Sequence, residues 1–252
     1  MKKTTADVGL NRTGIQTSPL ASKEAIQGAQ EGLPSSEGDE QGIIQTRQVY
    51  AEESSGMGSV PVPATFKGIL STAKEFFKGT KPTVFIDKLG ERLGFERTGV
   101  RLYEAALGKY DLHGTWEGGP SREQLEKIMN DELSHFVLVR EAIEKLGADP
   151  TALTPSANLV SVASKGVPEV LVDPRTNLVQ CLEALMMAEL TDNAGWELLV
   201  ELAQSLGQHE LAEQFEQALM AEAEHLQLVR NWLSAAVLGE ARVLEEASAP
   251  SL

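Results

Sequence analysis

Asp131-Glu132-Leu133-Ser134-His135 lies in the middle of an apolar helical stripe, and a second Glu-x-x-His pair, Glu222-Ala223-Glu224-His225, lies in the middle of another. Residues three apart on a helix project from one face, so each pair can present a carboxylate and an imidazole to the same point. The first stripe is Leu125, Ile128, Val139, Ile143 and Leu146; the second is Leu211, Phe215, Leu219, Leu226, Val229 and Leu233. A carboxylate on such a face is buried on folding, and burying it unpaired costs several kcal/mol. One Glu-x-x-His pair is common on amphipathic helices. Two of them on core-facing stripes call for a shared cation.

Each pair has a partner glutamate on the helix before it. Glu96 follows Leu89 and Leu93 and precedes Val100, Tyr103 and Leu107, while Glu189 sits on the stripe Leu178, Leu182, Leu185, Trp196, Val200 and Ala203. No Lys or Arg is expected on these stripes near the four glutamates. Counting back from the turns, Glu189 and Glu222 lie about 17 and 14 residues from the link joining their helices, hence only ~5 Å apart in height at about 1.5 Å per residue. Glu96 and Glu132 show the same offset. Glu104 competes with Glu96, but Arg97 and Arg101 precede it at helical spacing and mark a solvated face. Glu183 is at the wrong level and Glu197 fits less well than Glu189. Asp192 and Asn193, one turn beyond Glu189, are placed either to orient ligands or to face water. His113 and His209 have no partner at ligand spacing, and Met186 and Met187 read as core filling.

These stripes predict an all-α chain. Helix one runs from about Val84 to Tyr110; helix two from Ser121, a capping-box start with Gln124, to Leu146; helix three from just after Pro174 to Leu206; helix four from about Gln208 to Val237. The connection 147–173, punctuated by Pro150, Pro155 and Pro168, is too long for a hairpin turn. Two hairpins joined by one long crossover give an antiparallel four-helix bundle over 83–239. Residues 1–63, rich in Ser, Gly, Thr, Gln and Glu, read as a disordered tail; 64–82 reads as a short amphipathic helix packed on the bundle; 240–252 reads as a frayed C-terminal tail.

Composition narrows the function. A formal net charge of −15 repels phosphate backbones and anionic lipid, which argues against nucleic-acid and membrane partners and favours cations. The N-terminal residues have no apolar h-region, so no secretory signal is expected, and with no apolar run of spanning length a cytoplasmic location is expected. Cys181 is the one cysteine, which excludes an internal disulfide and a four-thiolate metal site. It reads as a small buried hydrophobe.

Over about Val84 to Val237 the chain resembles the ferritin-like superfamily, in particular bacterioferritins and rubrerythrins. The resemblance rests on Phe95-Glu96 with Tyr103 seven residues on, Asp131-Glu132-Leu133-Ser134-His135, Ala188-Glu189-Leu190, and Glu222-Ala223-Glu224-His225. It implies two iron or manganese ions, with Glu132 and Glu222 bridging, Glu96 and Glu189 terminal, and His135 and His225 each on one ion. It also implies a ferroxidase or a peroxide-reducing oxidoreductase acting on O2 or H2O2, in a homodimer or higher oligomer. Tyr103 would hydrogen-bond beside the site or relay an electron, or else is an ordinary core tyrosine. The chain departs from the family in its long N-terminal segment, its extra short helix and its long crossover, and it lacks the four-cysteine iron centre of rubrerythrins. Iron storage, oxygenation of an organic substrate, and a bundle whose polar core residues only set helix register are the competing readings.

Overall fold

The computed structural model describes residues 19–31, 40–61 and 82–248, and every regular element among them is helical. They fall into two units, Met1–Ser55 and Gly56–Leu252. The first holds α1 (Pro19–Glu31) and α2 (Glu40–Glu53), where a disordered tail is expected from composition. Local propensity accounts for the difference, because Gln, Glu, Ala and Arg are good helix formers whether or not a core covers them. Ile43, Ile44, Val49 and Tyr50 of α2 are all exposed, so burial contributes little. Most of the amphipathic segment expected at 64–82 lies outside the described residues.

The second unit contains α3 (Pro82–His113), α4 (Arg122–Lys145), α5 (Pro155–Ala163), α6 (Gly166–Val172), α7 (Leu178–Ser205) and α8 (His209–Ser248). Pro82 opens α3, two residues before the expected start, at a first-turn position where the missing N–H costs nothing. Ser121 caps α4 as the sequence predicts: its Oγ accepts from Gln124 N at 3.2 Å and its own N–H donates to Gln124 Oε1 at 2.8 Å. The third long helix begins at Leu178 rather than after Pro174, because Asn177 and Gln180 form an equivalent capping box. Helix α8 runs on to Ser248, where a frayed tail is expected from residue 240. The last residues, Ala, Arg, Leu and Glu, carry the helix past Gly239 on propensity.

Helices α3 and α4 pack as one pair and α7 and α8 as another; α3 also packs on α7, while α4 touches α8 less. The expected connection 147–173 is folded rather than extended, forming α5 and α6 against α3 and α7. Thr154 caps α5 and donates to Asp87 O at 3.1 Å, and the Asp87 carboxylate accepts from Ser156 N and Oγ at 2.9 and 2.7 Å. Lys109, almost buried, donates from Nζ to Thr176 O at 2.7 Å and holds the far end of the connection.

Two apolar clusters form the core, and their members alternate in order from helix to helix. On α3, Phe85, Leu89 and Leu93 of one cluster precede Glu96 while Leu102, Ala106 and Leu107 of the other follow it. On α4 the order is reversed, with Leu125 and Ile128 before Glu132 and Val139, Ala142 and Ile143 after. Helix α7 repeats the order of α4, and α8 that of α3, with Phe215 before Glu222 and Val229 after. A polar layer therefore sits between two apolar ones. Cys181 is buried in the cluster around Leu182, as expected, whereas Met187 is 63% exposed and fills no core.

Candidate metal centre

All six residues expected to hold metal meet in the polar layer. Glu96, Glu132, His135, Glu189, Glu222 and His225 are each buried. One ligand atom from each of Glu132, Glu189, Glu222 and His225 lies within 4.8 Å of the others, and Glu96, His135 and Glu222 make a second such group. A third joins Glu96, Glu132, Asp192 and Glu222. Glu222 belongs to all three. Its Oε1 is 2.6 Å from His135 Nδ1 and its Oε2 is 3.1 Å from His225 Nδ1, so the two imidazoles flank one carboxylate. Glu104, His113 and His209 are exposed, as their surroundings in the sequence predict.

Tyr103 is buried, and its hydroxyl donates to Glu189 Oε1. Asn193 Nδ2 donates to the main-chain oxygens of Glu189 and Glu222, each at 3.0 Å, pinning α7 to α8 at the height of the ligands. Asp131, next to Glu132, supports a ligand from outside the layer, a role its place in the motif does not reveal because its partner lies on another helix. Its Oδ2 lies 3.0 Å from His225 Nε2, and Lys127 Nζ donates to the same oxygen at 2.8 Å. A carboxylate on the outer nitrogen of an imidazole fixes the tautomer that leaves Nδ1 free to bind.

Arg92 overturns the expectation that no cation lies near the glutamates. It is 4% exposed, its Nε is 3.0 Å from Glu96 Oε1, and its Nη1 is 2.7 Å from Asp192 Oδ1. The Nε contact is close but not aligned as a hydrogen bond, so it counts as an ion contact only. The guanidinium lies 4.3 Å over the Phe95 ring, and a Cβ on Gly195 would meet Nη1 at 2.3 Å. The spacing 89, 92, 96, 99, 103 puts Arg92 on the stripe that carries Glu96 and Tyr103.

Five buried carboxylates, Glu96, Glu132, Glu189, Asp192 and Glu222, thus face one buried guanidinium. With neutral imidazoles the balance is −5 + 1 = −4, the charge that two divalent ions cancel. Glu96 Oε2, Glu132 Oε2 and Glu189 Oε2 are buried without a hydrogen bond, a costly state for an acceptor unless something else coordinates it. Glu132 also comes so close to α3 that a Cβ at Gly99 would meet its Oε2 at 2.0 Å. The donor set, hard carboxylates with two imidazoles, suits iron or manganese. Gly99→Ala is therefore expected to push Glu132 off its position and weaken metal binding by about tenfold or more, although alanine is the better helix former. Metal titration alongside thermal melting checks this. Unchanged affinity would show that the close approach is dispensable.

The chain matches no protein-family profile, no curated protein and no solved structure.

Protonation compensates in the metal-free layer. Burial, reinforced by neighbouring carboxylates, pushes Glu96 and Glu132 well above the usual carboxylate range and Glu189 up to about 8. Burial also raises Asp192 to about 7, against the pull of Arg92. Glu222 goes the other way: burial opposes its charge, but hydrogen bonds from His135 and His225 bring it down to about 2. His225, whose charge burial also opposes, is lifted to about 9 by the Glu222 hydrogen bond. The raised acids contribute stability that is complete below their unfolded values near pH 4 and is lost as pH rises through about 7 for Asp192 and about 8 for Glu189. The His225 contribution, complete below about pH 6.5, is lost as pH rises through about 9. Glu222 acts in the opposite window, losing its contribution as pH falls towards about 2. The melting temperature of the metal-free chain is thus expected to fall steadily between pH 5 and 9, and Mn(II) to flatten that fall. A flat profile without metal would contradict these assignments.

Proposed function

We propose that this chain is a ferritin-like di-metal protein that binds two iron or manganese ions and reduces O2 or H2O2, as a ferroxidase or a peroxide reductase. The observation that carries the reading is the pair of Glu-x-x-His imidazoles flanking the single buried carboxylate of Glu222, in a layer where five buried carboxyl groups face one buried guanidinium. The alternation of the two apolar clusters supports the ferritin-like part. It has α4 and α7 running the same way, the arrangement for which the long crossover of a four-helix bundle would supply the return.

Glu132 and Glu222, shared between the ligand groups, are the bridging candidates; Glu96 and His135 would complete one subsite, Glu189 and His225 the other. Two such ions, when bound, supply one electron each, enough for a two-electron reduction of O2 or H2O2. The protein's part is to hold and shield. Asp131 keeps His225 Nδ1 directed inward, and Asn193 fixes the spacing of the helices that carry Glu189 and Glu222. Tyr103, whose phenol burial holds protonated, keeps a proton at Glu189 Oε1. The apolar layers on either side exclude bulk water. No helix among the described residues is long and apolar enough to cross a membrane, and the buried thiol of Cys181 suits the reducing cytoplasm where we place the chain.

One observation favours a second reading, oxygenation of an organic substrate. A mostly apolar cavity of about 120 Å³ between α3, α5, α6 and α7 is lined by Phe95, Leu102 and Ala188, the sequence neighbours of Glu96, Tyr103 and Glu189. Metal content by mass spectrometry after anaerobic Fe(II) loading, then the optical change on adding O2 or H2O2, tests both. About two ions per chain, with rapid oxidation by one oxidant, is the expected result. No specific metal would leave only a structural bundle. Oxidation that becomes fast only with an added apolar compound would favour the oxygenase.

A further inference from the structure

Outside the metal layer, α3, α4 and the residues leading into α5 enclose a cavity of about 320 Å³, within the size range of small-molecule sites. Leu93, Phe136, Leu153 and Ala157 form its apolar wall. It opens at Gly94, where an added Cβ would meet no atom within 4 Å. Arg97 and Arg140 also line it, and among the described residues no carboxylate does, although the whole chain carries a net charge of −15.

The two guanidiniums are poorly neutralised. Among the described residues no carboxylate pairs with the exposed side chain of Arg97. Arg140 has only long contacts, Nη2 at 3.5 Å from Glu141 Oε1 and Nε at 4.0 Å from Glu144 Oε1, and its Nε is buried without a hydrogen bond. Guanidinium N–H groups in a fork match the paired oxygens of a carboxylate or phosphate, and a buried N–H left unpaired costs free energy that such a partner would recover.

We propose that this groove binds a small-molecule oxyanion with an apolar body, the carboxylate or phosphate seated between Arg97 and Arg140 and the body lying on Leu93 and Phe136. The occupant is set by complementarity: one unpaired and one loosely paired guanidinium over an apolar floor reject both a neutral hydrocarbon and a bare anion relative to a molecule that has both parts. The site does not depend on the metal reading.

Isothermal titration of the full chain tests it, with decanoate and decyl phosphate as probes and 1-decanol and inorganic phosphate as the uncharged and the bodiless comparators. Saturable binding of at least one decyl anion at one site per chain is expected, about tenfold or more tighter than either comparator, as a charged hydrogen bond is worth. Whichever anion binds tighter identifies the headgroup. Arg97→Gln with Arg140→Gln should erase the preference for the anion over decanol. Gly94→Leu should fill the cavity and abolish binding while holding or raising the melting temperature, since leucine is the better helix residue. Equal binding of decanol and decanoate, tight binding of inorganic phosphate alone, or no saturable binding by either decyl anion would each overturn the proposal. Should Gly94→Leu fail to fold, the arginine pair still decides it.

Discussion

Glu132→Gln and Glu222→Gln are expected to have the same effect on metal binding and opposite effects on the metal-free protein. Each removes a carboxylate shared between ligand groups, so each should cut the metal content from about two ions per chain to fewer than one. Without metal, Glu132 is an acid whose charge burial disfavours and no cation adequately compensates, so glutamine there should raise stability. Glu222 instead has both imidazoles on its oxygens and ionises readily. Glutamine at 222 leaves His225 buried with its main counter-charge gone, so the chain should lose about 1–3 kcal/mol, several degrees in melting temperature. Melting curves of the two variants at pH 7.5 in the presence of a chelator decide the point. Shifts of the same sign would mean that the electrostatics of the layer are assigned wrongly.

Arg92→Gln should produce the largest loss of stability in the metal-free chain. The guanidinium is a buried cation held between Glu96 and Asp192, and removing it leaves those two side chains to face each other. Breaking a buried ion pair from one side costs about 3–5 kcal/mol. The same residue should make the two proposed metal subsites unequal. Arg92 lies against Glu96 and not against Glu189, so an ion at Glu96, His135 and Glu222 must share its carboxylate with a guanidinium, whereas one at Glu132, Glu189, Glu222 and His225 does not. Mn(II) titration of the native chain is expected to show a tight step followed by a weaker one. In Arg92→Gln the weaker step should tighten, and Mn(II) should restore much of the lost melting temperature. Two equal steps in the native chain would remove Arg92 from this role.

How much of this was legible in the sequence depends on the range of the interaction. Ser121 with Gln124, and Glu132 with His135, are pairs three residues apart on one helix, and their geometry follows from helix pitch alone. The same local rule could have found the helix start at Asn177 with Gln180, which the nearby Pro174 obscured. It also reached Glu96, Glu189, Glu222 and His225, since a charged residue inside an apolar stripe is visible one helix at a time. The all-α class and the candidate ligands were therefore set by the sequence itself.

Pairings between distant helices were not. Arg92 meets Asp192 across 100 residues and His225 meets Asp131 across 94, and each depends on how two helices are rotated and at what height they cross. Tyr103 acquired its partner, Glu189, in the same way. No local pattern encodes those rotations; they result from packing whole faces to native density, with the apolar clusters above and below fixing the level of the polar layer. The sequence by itself determined most of the side chains that face inward, with Arg92 and Met187 as the exceptions. Only the tertiary structure decided which of them share a charge, because a buried charge is balanced by whatever the neighbouring helix brings to its height.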